Sequence, residues 1–222
     1  MNAATTLFAA LALTSCLGAE PQPHAPAVAT AQSDASASSI TTPDDHLGRP
    51  LGADGTLADW GEVSSWFTQL ATESPRVTTE VIGETTEGRD FLLTVISSPE
   101  NLANLDAIRA DNHTLADPRG RSEEQLEAAL DGGKVVVFVS IAMHATECAG
   151  PQFGMALAHK LATDESDLYR SIRDEVVVVM APSLNPDGQD HVTEWYRATV
   201  GTPYEASDLL KLYQYYAGHD NN

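Results

Sequence analysis

Two continuous apolar runs, KVVVFVSIAM (residues 134–143) and EVVVVMAPSL (residues 175–184), constrain this chain more than any other feature. Neither alternates polar with apolar residues, as a strand with one wet face does, so both are expected to be strands buried on both faces. Between them, residues 150–174 (GPQFGMALAHKLATDESDLYRSIRD) carry helical periodicity. The unit is therefore strand, helix, strand, with loops at the strands' C-terminal ends, where open α/β sheets place their ligands. The expected class is α/β, with a mixed, largely parallel sheet and helices on both faces.

Upstream, Leu57, Trp60, Val63, Phe67 and Leu70 recur at helical spacing and form one apolar stripe, with Trp66 beside it. This is the pattern of a core helix. RVTTEVIGETTEGRDFLLTVIS places two β-branched runs around the turn-forming ETTEGRD, which predicts a hairpin with Arg89 in a structural role. Residues 100–134 read as loop and a polar helix, in which SEEQLEAAL carries acidic residues in its first turn, where they suit the helix dipole.

The first sixteen residues, MNAATTLFAALALTSC, form an apolar run too short to span a bilayer and ended by small residues and a cysteine. They are expected to be an export signal. LTSC resembles the bacterial lipobox, which implies cleavage before Cys16, its lipidation, and a place in the periplasm or cell envelope; no Lys or Arg precedes the apolar run, which leaves plain export as the other reading. Residues 17–50 are rich in Pro, Ala and Ser with few bulky apolar side chains, the composition of a disordered tether, and His24 and His46 are expected to be solvated there. Residues 51–222 then hold the folded domain. Twelve Lys and Arg against 32 Asp and Glu leave a formal charge of −20, which repels phosphate backbones and anionic surfaces. Nucleic acid is excluded as a partner on that ground, and membrane contact is expected only through an N-terminal lipid. The two cysteines, Cys16 and Cys148, do not indicate a disulfide framework.

Both motifs that suggest chemistry fall after the buried runs. His144 and Glu147, in HATE, follow the first, and NPDG, Asn185 to Gly188, follows the second. A lone His-x-x-Glu pair is weak, because a histidine at a strand end is more often only hydrogen-bonded. NPDG alone is equally bland, being made of ordinary turn residues.

In this order, followed by EWYRATVGTPYE and then YYAGHDNN, these motifs resemble the zinc metallocarboxypeptidases, the carboxypeptidase A-like or funnelin family, over roughly residues 57–222. The resemblance implies that His144 and Glu147 are the first two ligands of one Zn2+ ion, which takes imidazole nitrogen and carboxylate oxygen and leaves a position open for water. It implies that Arg197 polarises the scissile carbonyl and steadies the oxyanion. Asn222 matches the asparagine that grips the substrate's C-terminal carboxylate, and Asp220 the aspartate that orients the first zinc histidine. The implied reaction is hydrolysis of a peptide bond at a peptide or protein C-terminus.

An arginine directly after Asn222, a third zinc histidine and a glutamate general base, which the family also uses, do not follow in this sequence. His159, His191 and His219 are poorly placed to substitute: His159 falls in a helix, His191 in a loop after NPDG, and His219 beside Asp220. The chain is thus expected to be the N-terminal portion of a longer catalytic domain, incomplete at its C-terminus, with the third ligand beyond residue 222. Little turnover and weak metal binding are expected of it alone, and an unpaired apolar sheet edge is expected to make it insoluble. Two other readings stay open. One is a zinc acylase of the same fold, although those usually carry Gly-Asn where this chain has Ala-Thr. The other is an exported peptide-binding module without catalysis.

Overall fold

A computed structural model of the chain describes residues 40–210. Cys16, His24, His219, Asp220 and Asn222 lie outside the described residues. The fold is α/β, with a mixed four-stranded sheet and eight helices among the described residues.

The first described residues, 40–50, fall inside the stretch assigned to the tether and are structured. Thr42 caps helix α1 (Pro43–Leu47) by accepting the Asp45 N–H, and Gly48 ends it in the left-handed conformation. Leu47 joins the core, Trp66 Nε1 donates to the Thr41 carbonyl at 3.2 Å, and both Thr41 donors reach Glu73. His46 is not solvated as expected: its ring bonds Gln69 at 2.9 Å and Ser65 at 3.1 Å. The composition of residues 40–50 concealed this because a single Leu and a capped turn suffice once helix α2 offers a surface.

Helix α2 (Trp60–Glu73) carries the predicted stripe. Trp60, Val63, Trp66, Phe67 and Leu70 are buried, and an Asp59–Glu62 capping box starts the helix. Trp66 belongs to the core and meets Phe67 edge to face at 5.0 Å. The hairpin follows as β1 (Val77–Glu84) and β2 (Asp90–Ile96), antiparallel with an irregularity between Val81 and Gly83. Between residues 99 and 132 the chain is more helical than composition suggested. Helices α3 (Pro99–Ala103) and α5 (Glu123–Gly132) have serine N-caps, and α4 (Leu105–Ala116) lies between them.

Strand β3 (Val135–Ser140), helix α6 (Ala149–Thr163), helix α7 (Asp167–Glu175) and strand β4 (Val176–Ala181) make the expected unit. β3 and β4 pair in parallel, from Val135 opposite Val176 to Ser140 opposite Ala181, while β4 pairs antiparallel with β2. The sheet order β1-β2-β4-β3 therefore joins the hairpin to the crossover through β4. Helix α8 (Pro186–Thr199) is the last regular element among the described residues, so NPDG is a helix start and not an open turn, and His191 is helical. Asn185 is the N-cap, its side chain accepting the Gly188 N–H at 2.9 Å, with Pro186 at the first helical position.

The two apolar runs differ in burial. β4, flanked on both sides, buries Val177, Val178, Met180 and Ala181. β3 is the sheet's outer strand among the described residues and leaves Val135 62%, Val137 42% and Phe138 40% exposed. A long apolar edge of this kind is a template for pairing with other chains. The chain expressed alone is expected to collect in the insoluble fraction, and Val135→Lys should shift it toward the soluble fraction while changing stability by no more than about 0.5 kcal/mol. Soluble yield and thermal melting check this; an unchanged partition would remove the β3 edge as the cause.

Candidate metal site

The parallel ladder continues past the strand ends. The Ile141 N–H donates to the Ala181 carbonyl at 3.2 Å and the Leu184 N–H to the Ile141 carbonyl at 2.8 Å, so the loops leading to His144 and Asn185 leave the sheet side by side. Ala142 adopts a left-handed φ of 51°, which costs a non-glycine residue about 1 kcal/mol and turns the chain sharply before His144. Helix α6 packs close beneath this loop because Gly150 and Gly154 carry no side chain. A Cβ at Gly150 would lie 2.9 Å from Ile141 Cγ2, and one at Gly154 would lie 2.7 Å from Ile141 Cδ1.

Within the loop His144 and Glu147 are brought together. The Glu147 N–H donates to the His144 carbonyl at 3.1 Å, which closes a tight turn. The carboxylate then folds back, with Oε2 accepting the His144 backbone N–H and Oε1 meeting His144 Nδ1, each at 3.1 Å. The backbone N–H of His144 first, and its ring second, hold the Glu147 carboxyl below the usual carboxylate range. The donor types and their spacing fit zinc, since two ligands at about 2.0–2.2 Å from one ion stand roughly 3–3.5 Å apart. With a carboxylate partner Nδ1 is the donor, so an ion held by both atoms requires the tautomer with its proton on Nε2, and affinity falls as pH falls because the doubly protonated ring has no lone pair to offer.

The pair is incomplete as a metal centre: no group of three or more His, Cys, Asp or Glu side chains suited to a metal occurs among the described residues. Cys148 adjoins Glu147, but burial pushes its thiol up in pKa, and it points a long contact of 3.7 Å at the Ala145 carbonyl. His191 bonds Glu87 at 2.8 Å.

Arg197 is not brought to His144 and Glu147. It lies in the last turn of α8, twelve residues and thus about 18 Å of helix beyond the Asn185 cap. Its guanidinium donates to Asp59 Oδ2 at 2.7 Å, Glu62 Oε2 at 3.0 Å and the Leu57 carbonyl at 3.1 Å. These are the capping residues of α2, where Arg49 also pairs bidentately with Glu62. In this arrangement Arg197 is a strut between α8 and α2.

A second clamp was legible only in part. Arg89, expected to be structural, pairs with Asp187 of NPDG at 2.8 Å, Asp190 at 2.5 Å and Glu87 at 2.8 Å. Burial opposes its charge, but the bonds to Glu87, Asp190 and Asp187 outweigh that and raise its pKa. Thr85 Oγ1 and the Glu87 N–H complete the Asp187 carboxylate at 2.6 and 3.1 Å. The Asp of NPDG thus anchors the hairpin to the start of α8. Asn185 Nδ2 is buried without a hydrogen-bond partner among the described residues.

The family model for zinc carboxypeptidases matches residues 63–217, and the chain belongs to that family. Among solved structures it is similar to carboxypeptidase A from Helicoverpa armigera, at 23% identity over 72% of this chain and 31% of that one, TM-score 0.47. Thrombin-activatable fibrinolysis inhibitor matches at 14% identity over 70% and 33%, TM-score 0.47. A metallo-carboxypeptidase from Burkholderia cenocepacia matches at 20% identity over 59% and 28%, TM-score 0.41. The chain spans about a third of the length of these structures. No curated protein sequence matches it.

The two arginines predict different outcomes. Arg89→Ala leaves three carboxylates facing one another, and the loss of stability by urea unfolding is expected at about 2–3 kcal/mol, below the full cost of breaking a buried pair because the site is partly wet. Arg197→Gln removes a half-exposed strut and is expected to cost about 1 kcal/mol or less. A loss above 2 kcal/mol at Arg197 would show that the α8–α2 contact is a main support of the fold.

Proposed function

We propose that this chain supplies part of the active site of a zinc-dependent metallocarboxypeptidase that hydrolyses peptide bonds at the C-termini of peptides or proteins. The preformed His144–Glu147 pair at the end of a parallel strand carries the reading, and membership in the zinc carboxypeptidase family supports it. His144 Nδ1 and Glu147 Oε1 are the proposed ligands. When bound, zinc supplies Lewis-acid polarisation of a carbonyl and a water acidic enough to ionise near neutral pH.

The chain's own residues set the conditions for that chemistry. Glu147, held anionic by the His144 N–H, brings negative charge to the loop without needing a further partner. The strained turn at Ala142 and the close floor of α6 fix where the imidazole stands. Within the proposal, the third ligand and the general base come from outside the described residues, as do the carboxylate-gripping role of Asn222 and the histidine-orienting role of Asp220. Arg197 polarises a carbonyl only if substrate or further chain draws it away from Asp59 and Glu62. Export, and anchoring through Cys16, are proposed on the sequence of the first sixteen residues alone.

The test is metal loading of the full chain, read by equilibrium zinc titration with a competing chelator. One weak site is expected, with His144→Ala weakening it by more than about tenfold, the loss of one of two ligands. In a protein carrying this chain with the rest of the family domain, the same change is expected to abolish both zinc retention and release of C-terminal residues. Undiminished zinc in His144→Ala would overturn the assignment, and cleavage of N-acyl amino acids but not peptides would move it to the acylase reading.

A further inference from the structure

At the other end of β4, three of the chain's twelve basic side chains converge on a single carboxylate. Glu165, in the link between α6 and α7, accepts from Arg76 at 2.6 Å, Arg170 at 3.2 Å and Arg173 at 3.2 Å. These side chains, with Ser98 and Asp174, line a shallow cavity of about 200 Å³. β4 separates it from the His144 loop by six residues of strand, about 20 Å.

Part of the cluster has an ordinary structural role. Arg173 Nη1 caps the C-terminus of α6 through the Leu161 and Asp164 carbonyls at 2.9 and 2.7 Å, and Arg76 Nη1 bonds the Ala162 carbonyl at 2.8 Å. Capping accounts for one nitrogen of each. Six hydrogen bonds in all engage three guanidinium forks that carry five donors each, so most of the donors are unused among the described residues. The cavity wall carries three positive charges and two carboxylates, Glu165 and Asp174, and the Asp164 carboxylate lies close enough to Arg173 to feel its charge, on a chain whose formal charge is −20. Arg173 is only 4% exposed, whereas Glu165 is 51% exposed and borders solvent. Burial, and then repulsion from Arg76, lower the Arg173 pKa even with Glu165 in contact.

We propose that this pocket is a binding site for a free tetrahedral oxyanion of the phosphate class, and that Glu165 is its resident, displaceable occupant. Planar arginine forks suit such an ion because two or three of them bond different oxygens at once. Ser98 Oγ, on the cavity wall, is a further donor. The Glu165 carboxylate and the oxyanion compete for the same guanidinium groups, so the site is weak while Glu165 is in place and strong when it is neutral or absent.

The experiment uses the full chain, refolded from the insoluble fraction and melted in inorganic phosphate and in chloride at matched ionic strength, with wild type, Glu165→Gln, and Glu165→Gln combined with Arg170→Gln. Arg170 is half exposed and does not cap α6, so its replacement leaves the helix end intact. Glu165→Gln is expected to melt lower than wild type in chloride and to recover in phosphate, with a saturable rise in Tm that reports the dissociation constant. Its phosphate affinity should exceed that of wild type by about tenfold or more, and the added Arg170→Gln should remove about as much, the effect of one charge-assisted hydrogen bond. If Glu165→Gln does not stay folded in chloride, its refolding yield in the two salts gives the same comparison. A Glu165→Gln chain that responds to phosphate no more than to chloride, or a response that survives the loss of Arg170, overturns the proposal and leaves a purely structural arginine cluster.

Discussion

The parallel pairing of β3 with β4 is the constraint on which the rest depends. Its register fixes which residues leave the two strands together, and the added bonds between Ile141, Ala181 and Leu184 carry that register into the loops. A shift by one residue would turn Met180 from the core and carry the His144 loop away from the Asn185 cap. Met155, Met180 and Phe67, all with no exposed surface, hold the register from the core side. The link between fold and site is therefore short: a hydrophobic ladder sets the loop, and the loop sets the His144–Glu147 pair.

Charge does a different job in this molecule from the one its total suggests. A formal charge of −20 implies self-repulsion, yet the scarce arginines are gathered where elements meet. Arg89 ties the hairpin to the start of α8, Arg49 and Arg197 hold the capping residues of α2, and Arg76 and Arg173 close the end of α6. Each bridges segments far apart in sequence or closes a helix end, so each works where hydrophobic packing is thin. Three of the carboxylates on these arginines, Glu62, Glu87 and Glu165, have pKa values held below the usual range. For Glu62 burial is the largest influence and opposes the change, but Arg49 and the capping N–H prevail. The sign follows: stability from these pairs is present above the unfolded carboxylate pKa and is lost as pH falls through the lower folded values.

The elements were legible where one physical cause dominated. The stripe of α2, the hairpin around ETTEGRD and the strand–helix–strand unit each follow from hydrophobic period, and all three are present. What periodicity misses are features made by partners distant in sequence. Residues 40–50 look like linker until α2 is in place to receive Leu47 and Thr41. NPDG reads as a turn from composition, whereas its Asn caps a helix and its Asp anchors the hairpin, about 100 residues upstream. At the site, the spacing of HATE makes a local pair visible because three residues close one turn. The direction of Arg197 depends on where α8 points, and no local signal encodes that.

The same reasoning explains why His144 and Glu147 already stand together. A carboxylate three residues after a histidine ordinarily points into solvent, where its entropy and hydration are greatest. Here the Ala142 turn exposes the His144 N–H to Glu147, so the carboxylate gains a charge-assisted bond and is drawn against the imidazole. The backbone N–H, which no cation can replace, keeps Oε2 in place while Oε1 and Nδ1 remain exchangeable. The loop that carries both side chains is already formed. Pre-organisation of this kind lowers the cost of assembling a centre from ligands that lie far apart in a chain, and it places that cost in the fold of the β3–β4 unit, where the hydrophobic core already covers it.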